Sequence, residues 1–190
     1  MRELGKGVVV LLALVGVIAS VRELAGQSTA PLAAGNFLHV GIVVKDIAKT
    51  AQMFSDVYGV TPPAPRVFDN VKALRLPAGA SGSQAKAKLV QFTVGNVRIE
   101  LIEPTEGATP WQEHLDRYGQ SVHHLSFGVP DIEQSLHGLE AKGGTWVMGE
   151  AGNTSFKYVD MRDLLGYTVE VGRQPAVPGT PPSGQPAGVK

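Results

Sequence analysis

Two histidines and two glutamates stand at spacings suited to holding one metal ion. His39 lies in FLHVGIVVKDI (37–47) and His124 in VHHLSFGVPDI (122–132), an offset of 85 residues that also aligns Val44 with Val129, Asp46 with Asp131 and Ile47 with Ile132. Glu100 in RIELI and Glu170 in TVEVG occupy the last strand-like run of each half. Alternate residues of a strand face opposite sides, so His39 shares a face with Gly41, and His124 with Ser126 and Gly128. Leu38, Val40, Ile42 and Val44 take the other face, as do Leu125, Phe127 and Val129. Glu100 likewise opposes Ile99 and Leu101, and Glu170 opposes Val169 and Val171. All four polar side chains therefore leave the apolar side and share a concave one, where small neighbours are expected to leave room for a ligand. Two imidazoles and two carboxylates suit a divalent ion, Zn, Ni, Co, Mn or Fe, with positions left for water or substrate. By the same parity His123 falls on the apolar side as a structural residue, while His114 and His137 are expected to be solvated.

The elements that must position these residues repeat. Each histidine strand runs into an aspartate suited to cap a helix. Ile47, Ala51, Phe54 and Tyr58 form one apolar stripe, and Ile132, Leu136 and Leu139 another. Glycines stop both helices, Gly59 in the first and Gly143 with Gly144 in the second. Further strands are predicted over 71–76, 88–94 and 97–102, the last two joined by a Gly95-Asn96 turn, and over 145–148, 156–161 and 167–171. TPWQEHLDRY (109–118) reads as a linker helix with a Thr-Pro start. The unit strand–helix–strand–strand–strand is thus used twice. Gln91, Thr93 and Arg75, with Trp146, are the expected cup-facing residues for substrate contact. The first module is longer than the second, and the extra length falls in PAGASGSQAKA (77–87), expected as a loop near the rim.

Composition narrows the function. Lys+Arg and Asp+Glu both total 17, which excludes a whole-protein basic field for nucleic acid. The absence of cysteine excludes disulfides, thiolate metal sites and cysteine nucleophiles. At the start, Arg2 and Lys6 precede an uncharged apolar run over 7–19, shorter than the roughly 20 residues a spanning helix needs. Residues 1–26 are therefore expected to be a signal peptide or N-terminal anchor, with 27–36 as a tether, and the protein to be exported or membrane-anchored. The segment 172–190 holds five prolines and four glycines with little to bury and is expected to be a mobile tail. That leaves 37–171 as the folded body.

These residues resemble the vicinal oxygen chelate superfamily of glyoxalase I, methylmalonyl-CoA epimerase, extradiol dioxygenases and bleomycin-resistance proteins. The resemblance covers 37–171 and implies an α+β fold, two βαβββ modules (37–104 and 122–171) joined by a linker helix (109–119). They would form a cupped mixed sheet around a metal, with helices on its outer face. It also implies that His39, Glu100, His124 and Glu170 are the metal ligands and that the substrate is a small molecule with vicinal oxygens. TPWQEHLDRYGQSVHHLSFGVPDIE (109–133) looks most like the epimerase branch, where a linker helix, a glycine and a His-His pair lead into the second module. The expected activity is that of an isomerase, epimerase or lyase removing an α-proton through a metal-stabilised enediolate, with Glu170 as base. A glyoxalase I-like lyase, an extradiol-type dioxygenase and a non-catalytic binder are the alternatives. The sequence departs from the epimerase pattern at 71–76, where Ala73 and Arg75 stand with no glutamate, and Asp69 is the nearest carboxylate. A homodimer is compatible with the two-module design.

Overall fold

The structure, a computed structural model, describes residues 30–33, 35–69, 74–75, 86–150 and 156–174. The leader, part of the tether, most of the 77–87 loop and the tail beyond 174 lie outside the described residues, as do the side chains of Leu74, Arg75 and Glu150. No helix among the described residues is long and apolar enough to cross a membrane.

The first module runs β1 (Asn36–Val43), α1 (Ile47–Tyr58), β2 (Arg66–Phe68), β3 (Leu74–Arg75), β4 (Lys86–Val94) and β5 (Val97–Glu106). The linker helix α2 (Pro110–Tyr118) leads to the second module, β6 (Ser121–Val129), α3 (Ile132–Glu140), β7 (Thr145–Glu150), β8 (Phe156–Asp160), a one-turn α4 (Arg162–Leu165) and β9 (Thr168–Arg173). One nine-stranded mixed sheet results, in the order β2-β4-β5-β1-β6-β9-β8-β7-β3. In each half the first strand lies parallel to the last, β1 to β5 and β6 to β9, while β1 and β6 meet antiparallel at the centre. Antiparallel first strands relate the halves by an approximate two-fold axis through the middle of the sheet.

The capping signals act as read. Asp46 accepts from the Lys49 N–H and Asp131 from the Gln134 N–H, each at 2.9–3.0 Å, satisfying donors that a helix start leaves free. Gly59 closes α1 in a left-handed conformation (φ 67°), which a side chain rarely adopts. The α1 stripe packs on Val90, Phe92, Ile99 and Leu101, and α3 packs on Val159, Val169 and Val171, so both helices cover the outer face. The linker helix differs. Its Trp111 joins Val43, Ala87, Leu89 and Tyr158 in a cluster on the cup side.

Of the strand expected over 71–76, the described residues Leu74 and Arg75 form β3, and an unexpected strand, β2, precedes it. The second strand of module one is β2, paired with β4, while Leu74 and Arg75 pair with Glu150 and Gly149 at the opposite edge of the sheet. Phe68 and Leu74 are six residues apart and so within about 22 Å along the chain. Nine strands laid flat would span about 38 Å. The sheet must therefore curl to bring its edges together, and that curl is the cup.

Candidate metal centre

Each of the four central strands contributes one polar residue to the cup: Glu100 from β5, His39 from β1, His124 from β6 and Glu170 from β9. Register places them symmetrically. Gly41 pairs with both Glu100 and His124, and Ser126 pairs with both His39 and Glu170. The outer two strands stand three strand spacings apart, about 14 Å on a flat sheet. Curvature and the longer glutamate side chains close that gap, so that one ligating atom from each residue lies within 4.8 Å of every other.

The two histidine strands carry matching irregularities. Leu38 is skipped in the pairing of β1 with β6 just before His39, and His123 just before His124. An extra residue at a bulge re-aims its neighbours, and here it corrects the parity reading of His123. That ring does not enter the helix-side core. It sits beside His124, Nδ1 to Nδ1 at 3.0 Å, with Tyr158 and the α2 residue His114 around it. Burial holds His123 well below the usual histidine range, so its neutral Nδ1 can accept from the Nδ1–H of His124 and leave the His124 Nε2 lone pair for the centre. His114 is corrected as well: it is buried, with Nε2 2.8 Å from Ser121 Oγ, whereas His137 is exposed as expected.

The donor set fits a divalent ion. His39 Nε2 stands 3.4 Å from Glu100 Oε2, 3.2 Å from Glu170 Oε2 and 3.1 Å from His124 Nε2. His124 Nε2 stands 2.9 Å from Glu170 Oε2 and 3.7 Å from Glu100 Oε2. Metal bonds of about 2.1 Å give edges of about 3.4 Å for tetrahedral and about 3.0 Å for adjacent octahedral ligands, the range these five distances span. Two further observations agree. Glu170 Oε2 is buried yet makes no hydrogen bond of acceptable geometry, despite its proximity to His124. The Nε2 atoms of His39 and His124 face each other at 3.1 Å, close enough for both lone pairs to meet one ion. Without an ion, burial disfavours the charged form of His39, but Glu100 and Glu170 outweigh it and raise its pKa from 6.5 to about 9. Burial opposes ionisation of Glu170, and the two histidines overcome it and hold the carboxyl well below its usual range.

Gly41 makes the geometry possible. A Cβ there would stand 1.9 Å from Cε1 and 2.2 Å from Nε2 of His124. The space beside this small residue is filled by the ligating ring itself, not by a ligand.

Above the centre lies a cavity of about 350 Å³. His39, Glu100 and Glu170 form its polar end, Gln91 and Arg66 its polar side, and Leu89 with four aromatic residues the rest. Gln91, expected to face the cup, does so and donates from Nε2 to Glu100 Oε1 at 2.8 Å. Thr93 is exposed in a separate depression with Phe37 and Arg98. The backbone of Arg75 lies on the far edge strand, and its side chain is outside the described residues. Trp146 is corrected: it packs against the α3-side core, donates to the Met148 carbonyl at 2.9 Å and lies under Lys157 Nζ at 4.8 Å. A register shift between Trp146 and Met148 turns Met148, not Trp146, to the cup side. Sequence reading missed Arg66, Phe68, Trp111, Phe156 and Tyr158. The alternation of Arg66 with Phe68 and of Phe156 with Tyr158 was the available signal.

Comparison with known proteins agrees with the fold. Residues 38–159, more than half of the chain, match the Glyoxalase/Bleomycin resistance protein/Dioxygenase superfamily. The Bacillus subtilis protein YqjC, described as uncharacterized, is 29% identical over 101 residues, which cover 53% of this chain and 62% of that one. Among solved structures, a hypothetical protein of Bacillus halodurans superposes with a TM-score of 0.55 at 17% identity, covering 77% of this chain and 99% of its own. Streptomyces coelicolor methylmalonyl-CoA epimerase, in complex with 2-nitronate-propionyl-CoA, gives 0.53 at 20% identity, covering 74% and 97%. At these identities the likeness is one of fold. With duplicated modules, a curled sheet and a family match running through both halves, the chain belongs to the Glyoxalase/Bleomycin resistance protein/Dioxygenase superfamily, the vicinal oxygen chelate proteins.

Proposed function

We propose that the protein is a metal-dependent enzyme that removes a proton from the carbon next to a carbonyl or carboxyl group of a small molecule, acting as an isomerase, epimerase or lyase. One observation carries the reading: four donor atoms from the four central strands meet within 4.8 Å at the polar end of a cavity. His39, Glu100, His124 and Glu170 would hold a divalent ion, which would supply Lewis acidity at an adjoining substrate oxygen and so acidify the neighbouring C–H. The two imidazoles offer Nε2 lone pairs, with His123 fixing the tautomer of His124. Gln91 pins Glu100 through Oε1, whereas Glu170 Oε2 has no hydrogen bond, which makes Glu170 the better candidate base.

Burial, with the nearby Glu170 and Glu100 charges, pushes the Tyr158 phenol well above its usual range, so it stays protonated and does not compete as a base. Among the described residues lining the cavity, Glu100 and Glu170 are the carboxylates. A proton taken by Glu170 is therefore returned by Glu170 or by its symmetric counterpart Glu100. The fold likeness to methylmalonyl-CoA epimerase supports proton transfer next to a carbonyl as the reaction type.

The test is solvent exchange. The full chain, loaded with zinc or cobalt in D2O, is incubated with 2-hydroxy acids, 2-oxo acids and acyl thioesters. Deuterium at the α-carbon of one class is expected, and Glu170→Gln is expected to abolish it while the circular dichroism spectrum is unchanged. A metal-loaded protein that exchanges none of them is a binding protein, and the enzyme reading is then wrong.

A further inference from the structure

The cavity has walls that proton transfer alone does not require. Phe68, Trp111, Phe156 and Tyr158 line it with rings in mutual contact, Phe68 and Trp111 at 6.0 Å, Trp111 and Tyr158 at 6.1 Å, Phe156 and Tyr158 at 5.3 Å between centroids. Their edge-on and tilted packing leaves faces and edges for a further ring to join. The Trp111 indole N–H is buried beside the Tyr158 hydroxyl but makes no hydrogen bond of acceptable geometry. Such a donor is costly unless a bound molecule supplies an acceptor.

Charge narrows the choice. Arg66 is the cation among the described residues lining the cavity; it is exposed and makes no salt bridge among the described residues. A divalent ion on two carboxylates would be neutralised by them, so the described lining residues would then carry one net positive charge, that of Arg66. A monoanion balances it. Size agrees, because about 350 Å³ is the room of about a dozen water molecules at ~30 Å³ each.

Resting on the metal-centre reading above, we propose that the cavity takes a small aromatic 2-hydroxy or 2-oxo acid. Its ring packs against the four aromatic walls, its two neighbouring oxygens lie at the His/Glu end, and its single negative charge is matched by Arg66.

Calorimetry on the full chain, zinc-loaded and chelator-stripped, tests this with four probes: mandelate, lactate, phenylacetate and propionyl-CoA. Mandelate is expected to bind the zinc-loaded protein at least about tenfold more tightly than lactate, because the ring is buried, and at least about tenfold more tightly than propionyl-CoA. Phe156→Ala should remove most of the mandelate advantage while lactate affinity stays within about twofold. Arg66→Gln should weaken both acids, and less so at high salt. Mandelate binding no better than lactate, or propionyl-CoA binding more tightly, overturns the proposal. The two readings fail separately. Phenylacetate lacks the second oxygen and probes the aromatic cavity alone, with or without zinc. If both aromatic acids outbind lactate equally with and without zinc, the cavity assignment stands and the metal centre falls.

Discussion

Replacing Gly41 by alanine should cost the protein its metal site before it costs the fold. A Cβ at this position would stand 1.9, 2.2 and 2.3 Å from three atoms of the His124 ring. Ordinary contact between carbon atoms begins near 3.5 Å, so the ring must retreat by about 1.5 Å. It has nowhere easy to go. His124 is fully buried, its Nδ1 is held 3.0 Å from His123, and Tyr158 lies 4.8 Å away between centroids. A metal ligand must stay within roughly 0.2 Å of its place, so His124 is lost to the centre. Zinc affinity, read by competition with a chromogenic chelator, should fall at least about 100-fold. Overpacking should cost about 1–3 kcal/mol, read as a melting temperature lower by roughly 3–10 °C. The symmetric position supplies the contrast. Ser126 pairs with His39 and Glu170 as Gly41 pairs with His124 and Glu100, and its buried hydroxyl has no partner. Ser126→Ala should therefore change zinc affinity by less than about threefold and leave stability nearly unchanged. A Gly41→Ala protein that binds zinc like the wild type would refute the placement of His124.

Zinc uptake should be steeply pH-dependent, because the ion must displace the proton that Glu100 and Glu170 hold on His39 up to about pH 9. Apparent affinity should rise about tenfold per pH unit below 9 and level off above it, with about one proton released per ion at pH 7 by calorimetry in buffers of different ionisation enthalpy. The sign reverses for stability of the ion-free protein. A raised histidine pKa stabilises fully below 6.5 and ceases to do so as pH rises through about 9, so thermal stability should decline across that window by ~3 kcal/mol at most. Gln91→Leu, which frees Glu100, should weaken zinc binding by about 10–100-fold, whereas Thr93→Val should leave it unchanged. Trp146→Phe should lower stability by about 1–2 kcal/mol, through the lost bond to Met148 and the weaker contact with Lys157, without altering zinc affinity.

The duplication was legible because it repeats local signals: a strand, an aspartate cap, an amphipathic stripe and a glycine stop. The four ligating positions were legible for the same reason, since period-two parity is a backbone property that needs no tertiary knowledge. Parity failed where the ladder skips. His123 and Trp146 both sit beside register shifts, and a shift of one residue flips a side chain to the other face. Residues 66–68 form a strand of only three residues, so the alternation of Arg66 with Phe68 is a weak signal, and Phe68 and Leu74 are six residues apart yet lie on strands at opposite edges of the sheet, which only its curl explains. The aromatic wall was hidden in a similar way. Trp111 comes from the linker helix, Phe68 from β2, and Phe156 with Tyr158 from β8, so only the cup brings them together.

X-ray absorption at the zinc edge addresses the four-residue centre most directly. One ion per chain is expected, ligated by nitrogen and oxygen alone at about 2.0–2.2 Å, with the multiple-scattering signature of two imidazoles. Replacing His39 and His124 together by alanine should abolish that uptake. Zinc held by the double variant as tightly as by the wild type, or a spectrum without imidazole, would contradict a metal centre at His39, Glu100, His124 and Glu170.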